Sequence, residues 1–336
     1  MKWIRRYGTS IIAAFCLVIA IFESQIVQDG AQEGIELLLK SVIPALFPFM
    51  LITTYLNDYM IGIKLPGLQA LGSWCKIPVG AEVVFLLGLI TGYPIGAKMV
   101  HDLYMAKKLD RATAKRMLGF CSNAGPAFII GILGRSFSYA SIPFIIWGIH
   151  IISAILVGVI LPGKQNKSCY IPKTSNKRFS QMIEQCLKTM AIISAWIIIW
   201  RIIVAVCSKY FLLKIPACPR IIIIGLCELT NGCLLLHVIE SEAIRFIVAS
   251  CLISLGGLCI FMQTATVTKA LGIGMYLPGK LLQVAISFAL SLLSSYVLYP
   301  GALSFHYLFV LPVLGLVTYA LSSIIRKNEK IMVAFQ

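Results

Sequence analysis

Charged residues are scarce in this 336-residue chain, and acidic residues are the scarcest. Only 12% of the residues are charged, with 13 aspartates and glutamates, whereas soluble domains have about 25% charged residues. Hydrophobic residues make up 59% of the chain, and the mean hydropathy is +0.90. This composition excludes an ordinary soluble domain. We predict an all-α polytopic membrane protein, because long apolar runs cross a bilayer as helices.

The sequence also lacks the motifs of metal sites and of common enzymes. It has no C-x-x-C pair and four scattered histidines, so no metal site is expected. Eight of the eleven cysteines lie in apolar runs, where they are expected to be small buried hydrophobic residues. No G-x-S-x-G, H-E-x-x-H or Walker motif occurs, so we expect neither an enzyme nor a cofactor.

The chain has a net charge of +16, but we do not expect it to bind nucleic acid, because its basic residues lie in short segments between apolar runs. Such segments orient a membrane protein by remaining in the cytoplasm. On this rule both termini are predicted to be cytoplasmic. Residues 1–22 also have the form of a signal peptide, but no small-x-small cleavage site follows, which favours an uncleaved first helix over residues 8–28.

Four apolar runs are interrupted by glycine, proline and polar residues. The interrupted segments are TGYP at 91–94, SNAGP at 122–126, GLCELTNGC at 225–233 and SLGG at 254–257. A bilayer tolerates freed backbone groups only where other protein or a water-filled cavity covers them. Interruptions in corresponding places of two halves are typical of the binding centre of a transporter.

The charge pattern predicts that the first interrupted run, 77–100, is a re-entrant hairpin with its tip at 91–94. A basic segment over residues 98–116 follows this run, and a full crossing would place that segment outside the cell. Each half then makes three crossings and one hairpin, so the halves are predicted to be inverted repeats. The remaining predicted runs are 41–56, 117–134, 139–161, 189–207, 221–238, 246–267, 281–298 and 306–325.

These runs divide the chain into five predicted regions. They are an N-terminal transmembrane helix with an external segment (1–40), a first repeat (41–162), a basic cytoplasmic connector (163–188), a second, inverted repeat (189–299) and a C-terminal transmembrane helix with its tail (300–336).

Glu228 is the strongest candidate site residue, because it is the one acidic residue in the middle of an interrupted run. An ionisable group at that depth marks a solute pathway or a proton relay by default. The alternative is a structural carboxyl that caps a half-helix or pairs with Arg201. The side chain of Lys98 is expected to extend to the cytoplasmic interface. Glu82, near the same interface, is expected to be its structural partner there.

Hydroxyl and amide side chains at the interruptions are the other candidates for binding a solute, since half-helix ends present free N–H or C=O groups. These candidates are Thr91, Tyr93, Ser122, Asn123, Thr230, Asn231 and Gln263. The alternative is that they only satisfy the freed backbone. The residues expected to form the interruptions themselves are Gly92, Pro94, Gly125, Pro126, Gly232, Gly256 and Gly257.

Five segments together resemble a known family. They are SVIPALFPFM (41–50), LITGYPIGAK (89–98), FCSNAGPAFIIG (120–131), CELTNG (227–232) and SLGGLCIFMQ (254–263). They are similar to the sporulation integral membrane protein family typified by YlbJ, within the nucleoside-recognition or Gate domain group. The resemblance implies a multi-pass protein of a bacterial cell membrane, built like a transporter and linked to spore cortex formation. It places the family's motifs on the candidate residues named above.

Two functions are compatible with these observations. The leading hypothesis is a secondary transporter or gated permease whose partners are the lipid bilayer, a small polar solute and a coupling ion, H⁺ or Na⁺, and which could form a homo-oligomer. The alternative is a membrane scaffold of the sporulation machinery that transports nothing. Glu228 discriminates between them, because a carrier needs an accessible polar centre and a scaffold tolerates an apolar one.

Overall fold

The computed structural model describes residues 2–63, 66–163, 178–302 and Gly315. Within these residues the regular elements are all helical. The α-helices in chain order are α1 (Lys2–Phe22), α2 (Ser24–Leu37), α3 (Ile43–Met60), α4 (Pro66–Trp74), α5 (Glu82–Thr91), α6 (Ile95–Met105), α7 (Arg111–Cys121), α8 (Pro126–Leu133), α9 (Ile142–Ile160), α10 (Phe179–Tyr210), α11 (Ala217–Cys227), α12 (Leu229–Leu235), α13 (Glu242–Leu255), α14 (Gly257–Val267) and α15 (Tyr276–Leu298).

Six helical stretches of the described residues are long and apolar enough to cross a membrane. They are Ser24–Asn57, Arg111–Leu133, Ile142–Ile160, Phe179–Tyr210, Glu242–Val267 and Tyr276–Leu298. The chain is therefore an all-helical polytopic membrane protein, as the composition predicts. The predicted last crossing, 306–325, lies almost entirely outside the described residues.

The surface is more apolar than that of a soluble protein, and polar residues lie within a mostly hydrophobic interior. Large apolar side chains such as Phe22 and Val297 are each 82% exposed. In contrast, Lys280, Gln283 and Ser287 are completely buried. Because apolar side chains are at home in hydrocarbon and buried polar groups need partners, this distribution suits a bilayer and directs attention to the polar interior.

The N-terminal part differs from the predicted boundaries. α1 ends at Phe22, and the helix Ser24–Asn57 continues through residue 40, where the sequence predicts the end of an external segment. A π-helical turn, Leu38–Val42, joins α2 to α3 without a break. The physical reason lies in Gly30 and Gly34, which have no side chain and let α2 approach the backbone of α10 closely.

α10 is the longest helix of the described chain, with 32 residues, and it extends over about 48 Å. It begins at Phe179, inside the predicted connector 163–188, and passes the predicted crossing 189–207 at both ends. Residues 164–177 of the connector lie outside the described residues. α2 and α3 run antiparallel to α10, since Gly34 faces Ile198 and Thr54 contacts Cys186.

Helices are interrupted at all four places that the sequence indicates. Gly92 and Gly256 adopt positive φ values of 94° and 81°, which end α5 and α13 at little steric cost. Pro126 occupies the first turn of α8, where its missing N–H is not needed. Glu228 has an extended backbone between α11 and α12.

Glycines bring the helices on either side of two interruptions into close contact. A Cβ atom on Gly96 of α6 would overlap the carbonyl of Cys121 and lie 3.1 Å from the Cα atom of Gly88 on α5. A Cβ atom on Gly232 of α12 would likewise overlap Gly225 on α11. α5 packs on α6, and α11 packs on α12, with their backbones nearly in contact.

Candidate functional site

Residues from all four interrupted runs line one cavity, which we call the central cavity. The first three interruptions lie in the lining themselves, whereas the fourth run contributes Ile260 and Gln263 of α14, just beyond its interruption. Its volume is about 40 Å³. Tyr93, Gly125, Glu228 and Gln263 represent the four regions in its lining. Apolar side chains of α3 and α10, such as Leu46 and Ile197, complete the wall. A volume of this size holds about three water molecules or a small ion.

Glu228 faces the central cavity and also caps α12. Its carboxylate accepts hydrogen bonds from the backbone amides of Thr230 at 3.0 Å and Asn231 at 2.7 Å, and the residue is only 2% exposed. The capping interpretation of this carboxylate therefore has direct geometric support. The suggested pairing with Arg201 is wrong, because the guanidinium of Arg201 forms its ion pair with Glu33 at 2.7 Å.

Tyr93 connects the first interruption to the fourth. Its hydroxyl donates a hydrogen bond to the carbonyl of Ile253 at 3.1 Å, just before Gly256. The same hydroxyl accepts a hydrogen bond from the ammonium of Lys280 at 3.1 Å. Because the ring also lines the central cavity, Tyr93 bridges the two halves of the chain at the candidate site.

Asn123 satisfies freed backbone and also joins a polar cluster. Its Nδ2 donates to the carbonyl of Phe120 at 2.7 Å, which matches the structural interpretation of this side chain. Its Oδ1 accepts from Gln283 Nε2 at 3.2 Å. The neighbouring Ser122 contributes its backbone carbonyl, which accepts from Lys280, while its hydroxyl has no partner among the described residues.

The sequence interpretation missed the most polar part of the interior, which we call the Lys280 cluster. It consists of Lys280, Gln283, His150, Ser254 and Ser287, together with Tyr93 and Asn123. His150 Nε2 accepts from the backbone amide of Ala124 at 3.0 Å, so this cluster also supports the second interruption. A lysine inside a membrane-spanning helix would have indicated this cluster, because such residues are rare and functional. The predicted crossing began at residue 281, so the prediction placed Lys280 at the interface instead.

The remaining candidates divide between the cavity and purely structural positions. Thr230 and Gln263 line the central cavity. Thr91 does not, and its hydroxyl donates to the carbonyl of Leu87 in its own helix. The backbone amide of Asn231 is used by Glu228.

Lys98 has a different partner from the one expected. It forms an ion pair with Asp102 at 2.7 Å, whereas Glu82 accepts a hydrogen bond from the backbone amide of Gly80 at 2.6 Å. Lys98 and Asp102 line a small polar cavity of about 30 Å³ with Gln185 of α10, which we call the Lys98 cavity.

Three cavities follow one another along the continuous helix of α2 and α3. An open cavity of about 750 Å³, the wide cavity, is lined by Lys40 and Pro44, the central cavity by Leu46, and the Lys98 cavity by Thr54 and Asn57. From residue 40 to residue 57 a helix rises about 26 Å, close to the thickness of a hydrocarbon core. Along α8 the lining passes from the central cavity at Phe128 to the wide cavity at Ile132, and along α10 it passes from the central cavity at Ile197 to the Lys98 cavity at Gln185. The central cavity therefore lies between the other two.

Among the described residues no group of three or more histidine, cysteine, aspartate or glutamate side chains could hold a metal ion. The polar groups of the site are instead a carboxylate, an ammonium, amides, hydroxyls and backbone ends. Such a set can bind a small polar solute, orient water or exchange a proton.

The fold and the site together define a multi-pass membrane protein with a polar centre at its interrupted helices. Over 165 residues the chain is 24% identical to the sporulation integral membrane protein YlbJ of Bacillus subtilis (strain 168). The match covers 46% of this chain and 40% of that protein, so the two are distantly related over less than half of each. No family model and no solved structure matches the chain.

Proposed function

We propose that this protein is a secondary transporter or gated permease for a small polar solute. The observation that supports it most is the central cavity, because residues from four separately interrupted regions line it. Interrupted helices have an energetic cost in a bilayer, and their convergence on one cavity, mostly apolar but lined also by Glu228, Thr230 and Gln263, is typical of a transport site. No catalytic role is part of this proposal.

The directions of the helices support inverted repeats with re-entrant hairpins of the Gate type. α6 begins beside the central cavity and leads to the Lys98 cavity, which Lys98 and Asp102 line. α12 also begins at the central cavity but leads to the wide cavity, where Leu234 lies. Two hairpins that enter from opposite faces and meet at their tips would produce this arrangement.

The sizes of the cavities support a gated path. A solute larger than a few waters does not fit in the central cavity of about 40 Å³, whereas the wide cavity of about 750 Å³ is large enough for one. Transport then requires a second conformation in which the central cavity opens toward the Lys98 cavity. On the proposed topology, with both termini in the cytoplasm, the wide cavity faces outward.

The charges around the wide cavity favour a solute with negative charge. Its charged and titratable lining residues are Lys40, Arg135 and His237, and no carboxylate of the described residues lines it. Lys40 forms an ion pair with Glu36 at 2.9 Å, so Arg135 supplies most of the positive charge at the opening. Basic side chains around an opening raise the local concentration of anions. The distant relative is a sporulation integral membrane protein, which, together with the sequence resemblance, supports a role in sporulation linked to formation of the spore cortex.

The test is uptake into proteoliposomes that contain the purified full chain. Small anions, nucleosides and neutral sugars are supplied separately, and we expect saturable uptake of an anionic solute that Glu228→Gln lowers. Glu184→Gln is the matched control, because Glu184 is 64% exposed on α10 and lines none of the three cavities. If the folded, reconstituted wild type takes up none of these solutes, the transport proposal fails and the scaffold hypothesis gains support.

A further inference from the structure

Lys280 carries a buried amine that is surrounded by oxygen atoms. The residue is completely buried at the first turn of α15. Its ammonium donates to Gln283 Oε1 at 2.7 Å and to the hydroxyl of Tyr93 at 3.1 Å. It also donates to the carbonyl of Ser122, and Asn123 Oδ1 lies 3.4 Å away. These four oxygens come from three separate segments of the chain.

No carboxylate of the described residues lies within ion-pair distance of this ammonium. The titratable side chains around it are Tyr93 and Tyr276, whose rings lie 4.9 and 5.9 Å from Nζ, and the nearby Cys121 and His150. A buried lysine is normally paired with an acid, since an isolated charge is costly to bury. Here neutral oxygens and aromatic faces surround the amine instead, and such groups interact favourably with its protonated form.

This set of oxygens is the kind that binds an alkali metal ion. Carbonyl, amide and hydroxyl oxygens replace the hydration shell of such ions, and unwound backbone carbonyls at helix interruptions are typical ligands. The Ser122 carbonyl lies at the C-terminal end of α7, where the helix dipole places partial negative charge. A cation at this point is therefore favoured, and the lysine supplies it.

We propose that the Lys280 ammonium permanently occupies a cation site that would otherwise bind an alkali metal ion. Removing the amine should uncover that site. In the carrier, the ammonium holds α15 against the first and second interruptions, as a bound metal ion would. With this site filled, we expect the carrier to be independent of sodium ions; this last consequence rests on the proposed function, whereas the site itself does not.

The test compares thermal unfolding of the detergent-solubilised full chain in NaCl, KCl, LiCl and choline chloride at equal ionic strength. Lys280→Ala should gain a saturable rise in its unfolding midpoint with at least one alkali chloride, of about 3 °C at tenfold above the dissociation constant. Wild type should show the same midpoint in all four salts. Lys188→Ala should do so too, because Lys188 is 73% exposed and its change removes only a surface charge.

Three outcomes would overturn the proposal. The first is a Lys280→Ala protein that folds but has the same midpoint in every salt. The second is a wild type that an alkali ion stabilises specifically. The third is aggregation of both Lys280→Ala and Lys280→Ser in every salt, since an ion in the uncovered site should rescue their folding.

Transport is measured separately. Wild-type uptake should be unchanged when choline replaces sodium on both sides of the vesicle, and loss of uptake would contradict a sodium-independent cycle. An absence of any uptake would count against the proposed function alone, because the salt series on the solubilised protein does not depend on transport.

Discussion

Replacing Glu228 by glutamine separates its two roles, as a helix cap and as a charged group in the central cavity. The carboxylate accepts from two backbone amides, so both oxygens are used. A glutamine has one acceptor oxygen and one donor nitrogen, which leaves one buried amide without a partner. We expect the free energy of unfolding to fall by about 1–2 kcal/mol, a loss that most folded proteins survive.

The effect on uptake should be larger than the effect on folding. Removing the charge from the central cavity should lower uptake by about tenfold or more, which corresponds to about 1.4 kcal/mol in the rate-limiting barrier. Glu228→Asp is the informative companion, because aspartate is a good N-cap and keeps the charge. It should fold as well as wild type and yet transport less, since its carboxylate is one methylene shorter and withdraws from the cavity.

Glu228→Leu completes the series. It leaves both amides unpaired and should destabilise the protein about twice as much as glutamine does. Thermal unfolding in detergent measures stability, and initial uptake rates in proteoliposomes with matched protein content measure transport. If Glu228→Gln takes up solute at the wild-type rate, the proposed role of the charge in transport is refuted, because the carboxylate then acts only as a helix cap.

Two further predictions concern topology and packing. In a cysteine-free background, single cysteines that replace Lys107 or Ser180 should react with an impermeant maleimide only from the cytoplasm. A cysteine that replaces Tyr139 should react only from outside. Labelling at position 107 from outside would contradict the re-entrant hairpin. Gly96→Ala should destabilise the protein by about 1–3 kcal/mol, because its Cβ atom would overlap the Cys121 carbonyl. Gly148→Ala has open space around its Cβ atom and should be neutral in the same unfolding assay, so equal effects of the two changes would contradict the packing argument.

The contacts of the candidate residues bear on the alternatives that the sequence leaves open. The sequence left open whether Thr91 binds a solute or satisfies backbone, and its hydroxyl is used by its own helix. Glu228 caps α12, as the structural alternative predicts, and it also lines the central cavity, where the functional hypothesis places it. Its proposed partner, Arg201, could not be assigned from sequence because pairing depends on which helices pack together.

The sequence by itself determined the class of protein and the places where its helices break. The class follows from composition, because the surface of so apolar a chain is compatible with a lipid bilayer and not with water. The breaks follow from local chemistry, because glycine and proline impose their backbone preferences wherever they occur, as Gly92 and Pro126 do.

Only the tertiary structure decided what lies at the centre. Lys280 meets Tyr93 across 187 residues and Asn123 across 157, and no local pattern specifies such contacts. A lysine at the start of an apolar helix can extend to the interface or turn inward, and the local sequence does not distinguish these two orientations. The packing of α15 against the interrupted helices is what buries the ammonium and gives it oxygen partners. The cation at the core is therefore a property of the fold, whereas the breaks around it are a property of the chain.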